Sequence, residues 1–338
     1  HSSQSNQVTS MKFASFPRRA VLLCTLLMAA GVHAQQDTAN WPNRPIRIVL
    51  AGSSGAGGDI FARLVATPLQ KILNQPVVVE PKPGANGIIA ADMVAKAPAD
   101  GYTLLFAPSS TILINPMMHS KLPYNTEKDL TPIVQVGAAG ILLVANPSMG
   151  FKNLADMVAY AKANPGKLAY GSWGNGSSGH LAMEGIKAKY GLVMPHVPYK
   201  TLSTEVMDII GNNIGVGFAD IASPVPHIRE GRLTALGTTG SRRWPATQNV
   251  ARLTEQGFKF DADGWYGIFA PAGTPQVIID RLNAEISRLQ QTEEVRSKIE
   301  GQNMSVPASQ TAKQFAESIK ADAALWQGLA STVDLKDK

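Results

Sequence analysis

From Trp41 onward the chain alternates between short apolar runs of strand length and longer stretches in which apolar residues return every three to four positions. Ile46–Leu50 is β-branched and apolar, and Ile60, Phe61, Leu64 and Val65 have helical spacing from a start near Asp59. Val77–Glu80 and Tyr102–Phe106 repeat the strand signal, with a helix predicted from Ile88 to Ala97 between them. Strands follow at Ile133–Val136 and Ile141–Val144, then a helix over Asn153–Ala163. Later strands are predicted at Leu168–Gly171, Met194–Tyr199, Gly215–Ala219, Thr234–Thr238 and Gly267–Ala270. Helices are predicted at His180–Tyr190, at Pro275–Gln290 with Asp280, Arg281, Glu285 and Arg288 on its polar side, and at Gln310–Leu329. This succession is that of an α/β protein with a central β-sheet in each of two lobes, and it holds no internal repeat. The expected lobes are 41–140 with 262–338, and 141–261, so that the C-terminal helices return to lobe one. Two crossings near Val136–Ala145 and Phe258–Trp265 form a hinge, and ligands of open α/β sheets bind at the carboxyl ends of the strands.

Two strand-to-helix connections are built mainly from small residues. In Ala51-Gly-Ser53-Ser54-Gly55-Ala56-Gly57-Gly58 no side chain exceeds serine before Asp59. Backbone N–H groups, two hydroxyls and the positive end of a helix can therefore converge on one small anion. A second such turn, Tyr170-Gly-Ser172-Trp173-Gly174-Asn-Gly176-Ser177-Ser178-Gly-His180, again joins strand to helix. The pair suggests one anionic ligand gripped from two sides.

The N-terminal segment changes the compositional picture. Residues 1–10 read as a leader and Met11 as the initiator. Lys12, the pair Arg18-Arg19, the apolar run Ala20–Gly31 and Val32-His33-Ala34 then form the three parts of a secretory signal, with cleavage expected near Ala34. A buried N-terminal helix is the alternative. The arginine pair is read as the basic n-region of the general secretory route, and Leu23 before Cys24 stands where a lipid-attachment site wants a small residue. Cys24 is the only cysteine, so the mature chain has no thiol nucleophile, disulfide or thiolate metal site. Without residues 1–34 it holds 28 basic and 25 acidic residues, a net charge of +3. That balance suits handling of anions and is far from a nucleic-acid footprint.

The residues also resemble a known family. Trp41-Pro-x-Arg-Pro-Ile-Arg-Ile-Val49, the early glycine-rich turn, Val79-Glu80-x-x-Pro83-Gly84-Ala85-x-Gly87 and Asp100-Gly101-Tyr102-Thr-Leu are similar to the solute receptors of tripartite tricarboxylate transporters, the Bug-type receptors. So are Asn115-Pro116, His180-Leu-x-x-Glu184, Val197-Pro-Tyr-Lys200, Gly231-Arg-Leu-x-Ala-Leu236, Gly264-Trp-Tyr-Gly267 and Ala270-Pro-Ala-Gly-Thr-Pro275. The resemblance runs in order along the whole mature chain. It implies a two-lobed periplasmic binding protein of the Venus-flytrap, type II kind, which closes on a small carboxylate and delivers it to a membrane permease. By carry-over the ligand contacts are Ser53 to Gly58 (Ser53, Ser54, Gly55, Ala56, Gly57, Gly58) with Asp59, then Ser109, Ser110 and Thr111. The other lobe adds Ser172, Gly176, Ser177, Ser178, Thr201, Asp220 and Ile221. The expected protein is a monomer that uses neither cofactor nor metal.

Two departures stand out. The family's first turn usually carries an aromatic residue, a proline and paired glycines where this chain has Gly52, Ser53 and Gly55-Ala56, and its Lys-Gly-x is here Lys200-Thr201-Leu202-Ser203. Losing an aromatic wall leaves room for a bulkier ligand, unless a side chain from elsewhere fills the gap. Plainer roles stay open for several residues. Asp59 reads first as a helix N-cap; Ser177 and Ser178 as a helix-start turn; His180 as a local capping or packing group; and Asp220 as either a cap or a partner for a ligand hydroxyl or ammonium. Trp265 reads as core and Trp173 as pocket edge.

An enzyme is the rival class. Gly174-Asn-Gly176-Ser-Ser-Gly179 fits G-x-G-x-x-G between a strand and a helix, as in an exported or mislocalised nucleotide-cofactor enzyme. Against this, the next strand offers His196 and Lys200 where a dinucleotide site wants an acid. No G-x-S-x-G, H-E-x-x-H or P-loop supplies another chemistry.

Overall fold

The computed structural model describes residues 38–55 and 57–331. The signal segment expected over residues 1–34 and the turn residue Ala56 lie outside the described residues. The chain forms two units, His1–Trp41 and Pro42–Lys338. Within the first, the Trp41 N–H donates to the Thr38 carbonyl at 3.4 Å; all sheets and the remaining helices belong to the second.

Ten strands form two five-stranded sheets. Sheet one has the order β2-β1-β3-β10-β4, built from β1 (Ile46–Leu50), β2 (Val77–Pro81), β3 (Thr103–Pro108), β4 (Leu130–Ala139) and β10 (Gly264–Pro271). Sheet two has the order β7-β6-β8-β5-β9, built from β5 (Ile141–Ala145), β6 (Tyr170–Ser172), β7 (His196–Pro198), β8 (Val216–Asp220) and β9 (Thr234–Thr238). The longer helices are α1 (Gly57–Leu73), α2 (Ile88–Ala95), α3 (Leu154–Ala163), α4 (Ser178–Tyr190), α5 (Leu202–Ile210), α6 (Gln276–Gln291), α7 (Glu293–Gly301) and α8 (Ala312–Ala330). The result is the two-lobed α/β fold.

In each sheet the reversed strand is the one reached directly from the other sheet: β10 runs antiparallel to β3 and β4, and β5 antiparallel to β8 and β9. The other strands of a sheet share one direction, so their carboxyl ends lie on one edge. That edge gathers the turns after β1, β2 and β3 in sheet one, and those after β6, β7 and β8 in sheet two. Helices cover both faces of the parallel strands, which is why Ile46, Ile48, Val49 and Leu50 are all buried and β1 lacks a polar alternation. Arg47, its exposed exception, pairs with Glu80 of the neighbouring strand at 3.3 Å.

Only Gly140 separates β4 from β5, and the crossing is tight. A Cβ there would stand 2.2 Å from the Thr239 carbonyl oxygen and 2.5 Å from Trp244 Nε1. Thr239 closes the junction, its hydroxyl accepting the Ile141 N–H at 2.9 Å. The last helix packs on sheet one and also reaches sheet two. Near its start, the Phe315 ring meets Trp265 at 5.4 Å and Phe269 at 5.8 Å. Toward its end, Trp326 packs edge-on to Phe260 at 4.8 Å, and the space over Gly185 of α4 is taken by Leu329. Helix α8 is thus a third link between the two sheets, apolar along a length that the sequence pattern alone does not assign to one partner.

Candidate functional site

The turn after β1 feeds α1, whose first N–H groups have no acceptor within the helix. Asp59 is the third residue of that helix, not its N-cap. Its carboxylate reaches back to accept the Gly55 N–H at 2.9 Å and the Ser54 hydroxyl at 3.5 Å, and pairs forward with Arg63 at 2.9 Å. Burial pushes this carboxyl up, but Gly55, Arg63 and Ser54 outweigh it and leave it below its ordinary range. Asp59 therefore ties the turn down, and Arg63 offsets its charge beside the helix end. Ser53 is half-buried, while Ser54 and Gly55 are exposed.

Gly57 and Gly58 stand where two side chains approach from elsewhere. Neither has a positive φ; what they supply is space. A Cβ on Gly58 would lie 3.3 Å from the Tyr266 ring, and one on Gly57 would lie 3.2 Å from Asp220 Oδ2 and 3.8 Å from the Tyr266 hydroxyl. Tyr266 is held on Phe106 (5.4 Å) and Phe61 (5.5 Å). A register shift against β4 between Tyr266 and Gly267 redirects the strand at this point. So an aromatic ring from β10 stands beside the turn that lacks the family's aromatic residue. Asp220 arrives from the end of β8 in sheet two; its Oδ1 accepts the Ser223 N–H at 2.7 Å. Burial raises the Asp220 carboxyl above its ordinary value despite the Ser223 hydrogen bonds, and burial followed by the Asp220 charge raises the Tyr266 phenol.

Asn86, in the turn after β2, joins the sheet-one loops to one another and to sheet two. Its Nδ2 donates to Asn115 Oδ1 at 2.8 Å and, across the cleft, to the Gly176 carbonyl at 3.0 Å. Its own carbonyl accepts from Thr111 Oγ1 and Asn115 Nδ2, and its Oδ1 from Ser110 Oγ. Ser109 accepts the Trp265 N–H at 3.4 Å. The hydroxyls of Ser109, Ser110 and Thr111, expected as ligand contacts, are thus engaged within the protein and buried.

The second turn is similarly occupied. Ser177 is the N-cap of α4, accepting the His180 N–H at 3.2 Å, and the Gly176 N–H donates to His180 Nδ1 at 3.1 Å. The Ser172 hydroxyl bonds to His196 Nε2 at 2.7 Å. The two imidazoles stack at 4.0 Å and 7°, with the Tyr170 ring 4.8 Å from His196 and 6.5 Å from His180. Burial chiefly lowers His180 to about 4 and His196 to about 3, so both rings are neutral at neutral pH and act as hydrogen-bonding supports. Ser178, buried, opens α4; Thr201 is the N-cap of α5, accepting the Thr204 N–H; and Ile221 is buried after β8. Gly179 leaves room for the Trp173 ring, 2.8 Å from where its Cβ would stand, and Gly174 and Gly176 both have positive φ. Turn geometry and ring packing thus account for the G-x-G-x-x-G spacing without a nucleotide. Trp265 is core, its indole N–H donating to Asp322 at 2.7 Å.

Sequence reasoning missed Asn86, passed over as the variable position between Ala85 and Gly87, and Tyr266, noted only within the motif Gly264-Trp-Tyr-Gly267. The first had a signal: asparagine is among the few residues that tolerate the left-handed φ of 49° found there. The second had a weaker one, a polar-tipped aromatic before glycine in an apolar strand.

A model for the tripartite tricarboxylate transporter family receptor matches residues 61–334. The chain belongs to this family. BugT of Bordetella pertussis is 32% identical over 323 residues, covering 95% of this chain and 99% of that one. Rpa4515 of R. palustris, solved with adipate, superposes with a TM-score of 0.81 at 28% identity, covering 87% of this chain and 98% of the other. MatC of Rhodopseudomonas palustris, solved with bound malate, gives 0.80 at 27% identity, covering 86% of this chain and all of its own. Among the described residues there is no metal-holding cluster of His, Cys, Asp and Glu, and no helix long and apolar enough to cross a membrane.

Proposed function

We propose that this receptor is exported after cleavage near Ala34, closes in the periplasm as a monomer on a small carboxylate, and delivers it unchanged to the permease subunits of a tripartite tricarboxylate-type transporter. The carrying observation is the start of α1: two side-chain-free residues, Gly57 and Gly58, at a helix N-terminus that faces Asp220 from the other sheet. A carboxylate placed there would meet oriented N–H donors and the positive end of the helix. The reading takes lobe one as 41–140 with 262–338 and lobe two as 141–261, with Ser53 to Asp59 as the primary contact and Ser178, Asp220 and Ile221 as the contacts from lobe two. The internally bonded Ser109, Ser110, Thr111, Ser172, Ser177 and Thr201 hold the loops in shape, and Gly176 is the point of interlobe contact. The relatives solved with adipate and malate support a small dicarboxylate; the missing aromatic in the first turn keeps aromatic carboxylates in range. Closure follows from tighter binding to the shut state and needs no bond to be made or broken.

A thermal-shift screen of aliphatic and aromatic carboxylic acids on protein freed of bound ligand tests this. A true ligand at a hundredfold excess over Kd stabilises by about 2.7 kcal/mol and raises Tm accordingly. It should be recovered intact. No shift with any carboxylate, or conversion of the acid at catalytic yield, would overturn the reading.

A further inference from the structure

On the receptor reading proposed for this cleft, we infer that Asn86 is the latch of the shut form. Its side-chain amide, fixed among the sheet-one loops, binds the Gly176 carbonyl of the sheet-two side and so strengthens the hold on every ligand without choosing among ligands. The turn after β2 is shaped to present it. Gly84, Ala85, Asn86 and Gly87 all have positive φ, of 121°, 48°, 49° and 84°, a region that alanine rarely adopts. The turn is also wedged in place, since a Cβ on Gly87 would stand 2.4 Å from Thr111 Oγ1 and 2.9 Å from the Ala51 Cβ.

Every polar atom of the Asn86 side chain is engaged. Oδ1 accepts from the Ser110 hydroxyl at 3.3 Å, while Nδ2 donates to Asn115 Oδ1 at 2.8 Å and to the Gly176 carbonyl at 3.0 Å. A carbonyl only accepts, so the atom turned toward the other sheet is the nitrogen. Two of these three bonds stay within the sheet-one loops and aim the third across the cleft, so little side-chain freedom is lost when the cleft shuts. The receiving peptide is held as firmly, its Gly176 N–H donating to His180 Nδ1 at 3.1 Å. Met118 Cγ lies 3.7 Å from the place of a Gly176 Cβ, so the turn seats on an apolar side chain as well. The donors that meet here are thus used up between the two sides, and Asn86 acts on a ligand only through the equilibrium of open and shut forms. A bond made only in the shut form multiplies that form's population by one factor, whichever acid fills the cleft.

Asn86→Gly removes the donor and keeps the turn, because glycine adopts this φ freely. Calorimetric titration with malate and with adipate is expected to show both acids weakened by the same factor, about three- to tenfold, the worth of one neutral hydrogen bond. Spin labels on Lys128→Cys and Lys167→Cys, exposed positions just before β4 and β6, read the opening directly. The ligand-free Asn86→Gly protein should be more open than wild type, and a saturating acid should return it to the wild-type shut distance. Asn86→Asp keeps the outline but turns an oxygen to the Gly176 carbonyl, and without ligand it should open at least as far. A malate-to-adipate preference changed by more than about twofold would make Asn86 a ligand contact instead. Unchanged affinities together with unchanged distances would make its bond idle. Either result overturns the inference and leaves the receptor reading standing. If neither acid binds wild type, the dicarboxylate reading fails, and the ligand-free distances alone decide the latch: a more open Asn86→Gly protein supports it and an identical one overturns it.

Discussion

At Glu205 the chain buries a carboxyl group completely, and neither oxygen has a hydrogen-bond partner among the described residues. Room for it is made by glycines on adjacent strands: a Cβ on Gly171 would stand 2.9 Å from its Oε1, and one on Gly217 would stand 2.6 Å away. Burial first, and then the charge of Asp220, holds its proton well above the ordinary carboxylate range. The folded protein therefore keeps a proton that the unfolded chain releases, so stability from this group is complete below the unfolded value and is lost as pH rises toward the folded one. The slope is up to about 1.4 kcal/mol per pH unit. Glu205→Gln should flatten that loss, unfolding at higher temperature than the parent near pH 8 but not near pH 5. Equal pH slopes of Tm in the two proteins would contradict it. Nothing in the sequence announces this residue, because a carboxyl group in a polar-looking stretch reads as solvated until the glycines opposite are known to share its level. Asp59, by contrast, was legible as a group that stabilises the start of α1, though its third-residue position and its bonds to Gly55 and Arg63 depend on where the turn closes.

The elements themselves were mostly visible in their apolar spacing. Strands β1, β3, β5, β8 and β9 fall close to the predicted segments, since buried strands are short, largely apolar runs. Helix α5 was missed although Leu202, Val206, Ile209 and Ile210 recur at helical spacing, with the buried Glu205 beside them. Helix α4 was found, but Ser177 is a cap rather than a free hydroxyl. Ser177→Ala should accordingly lower the unfolding free energy by about 1 kcal/mol, the usual worth of an N-cap. A denaturation midpoint unchanged from the parent would show that the His180 N–H finds another acceptor. The internal bonding of the second turn has the same origin: His180 and His196 come from separate segments, and only the fold stacks them against Ser172 and Gly176.

For the molecule as a whole, the alternation of strands and helices and the two crossings were enough to anticipate two lobes facing one another at their strand ends. The third link, α8, was not. Its apolar residues pack Phe315 on one sheet's strand and Trp326 near the other's helix, and a periodic pattern does not say which body it covers. The interlobe bond from Asn86 to Gly176 was equally hidden, because it joins turns 90 residues apart. What the sequence did expose was the first turn, a run of small residues between a β-branched strand and a helix, and the account rests there. The most direct test compares the parent with Gly57→Val by calorimetric titration, using whichever of malate and adipate binds the parent more tightly and confirming the fold by circular dichroism. The valine places its Cβ within 3.2 Å of Asp220 Oδ2 and covers the approach to the α1 amides. Loss of those charge-assisted bonds predicts a folded variant weaker by about tenfold or more. A folded Gly57→Val protein that binds as tightly as its parent would contradict the placement of the carboxylate at α1.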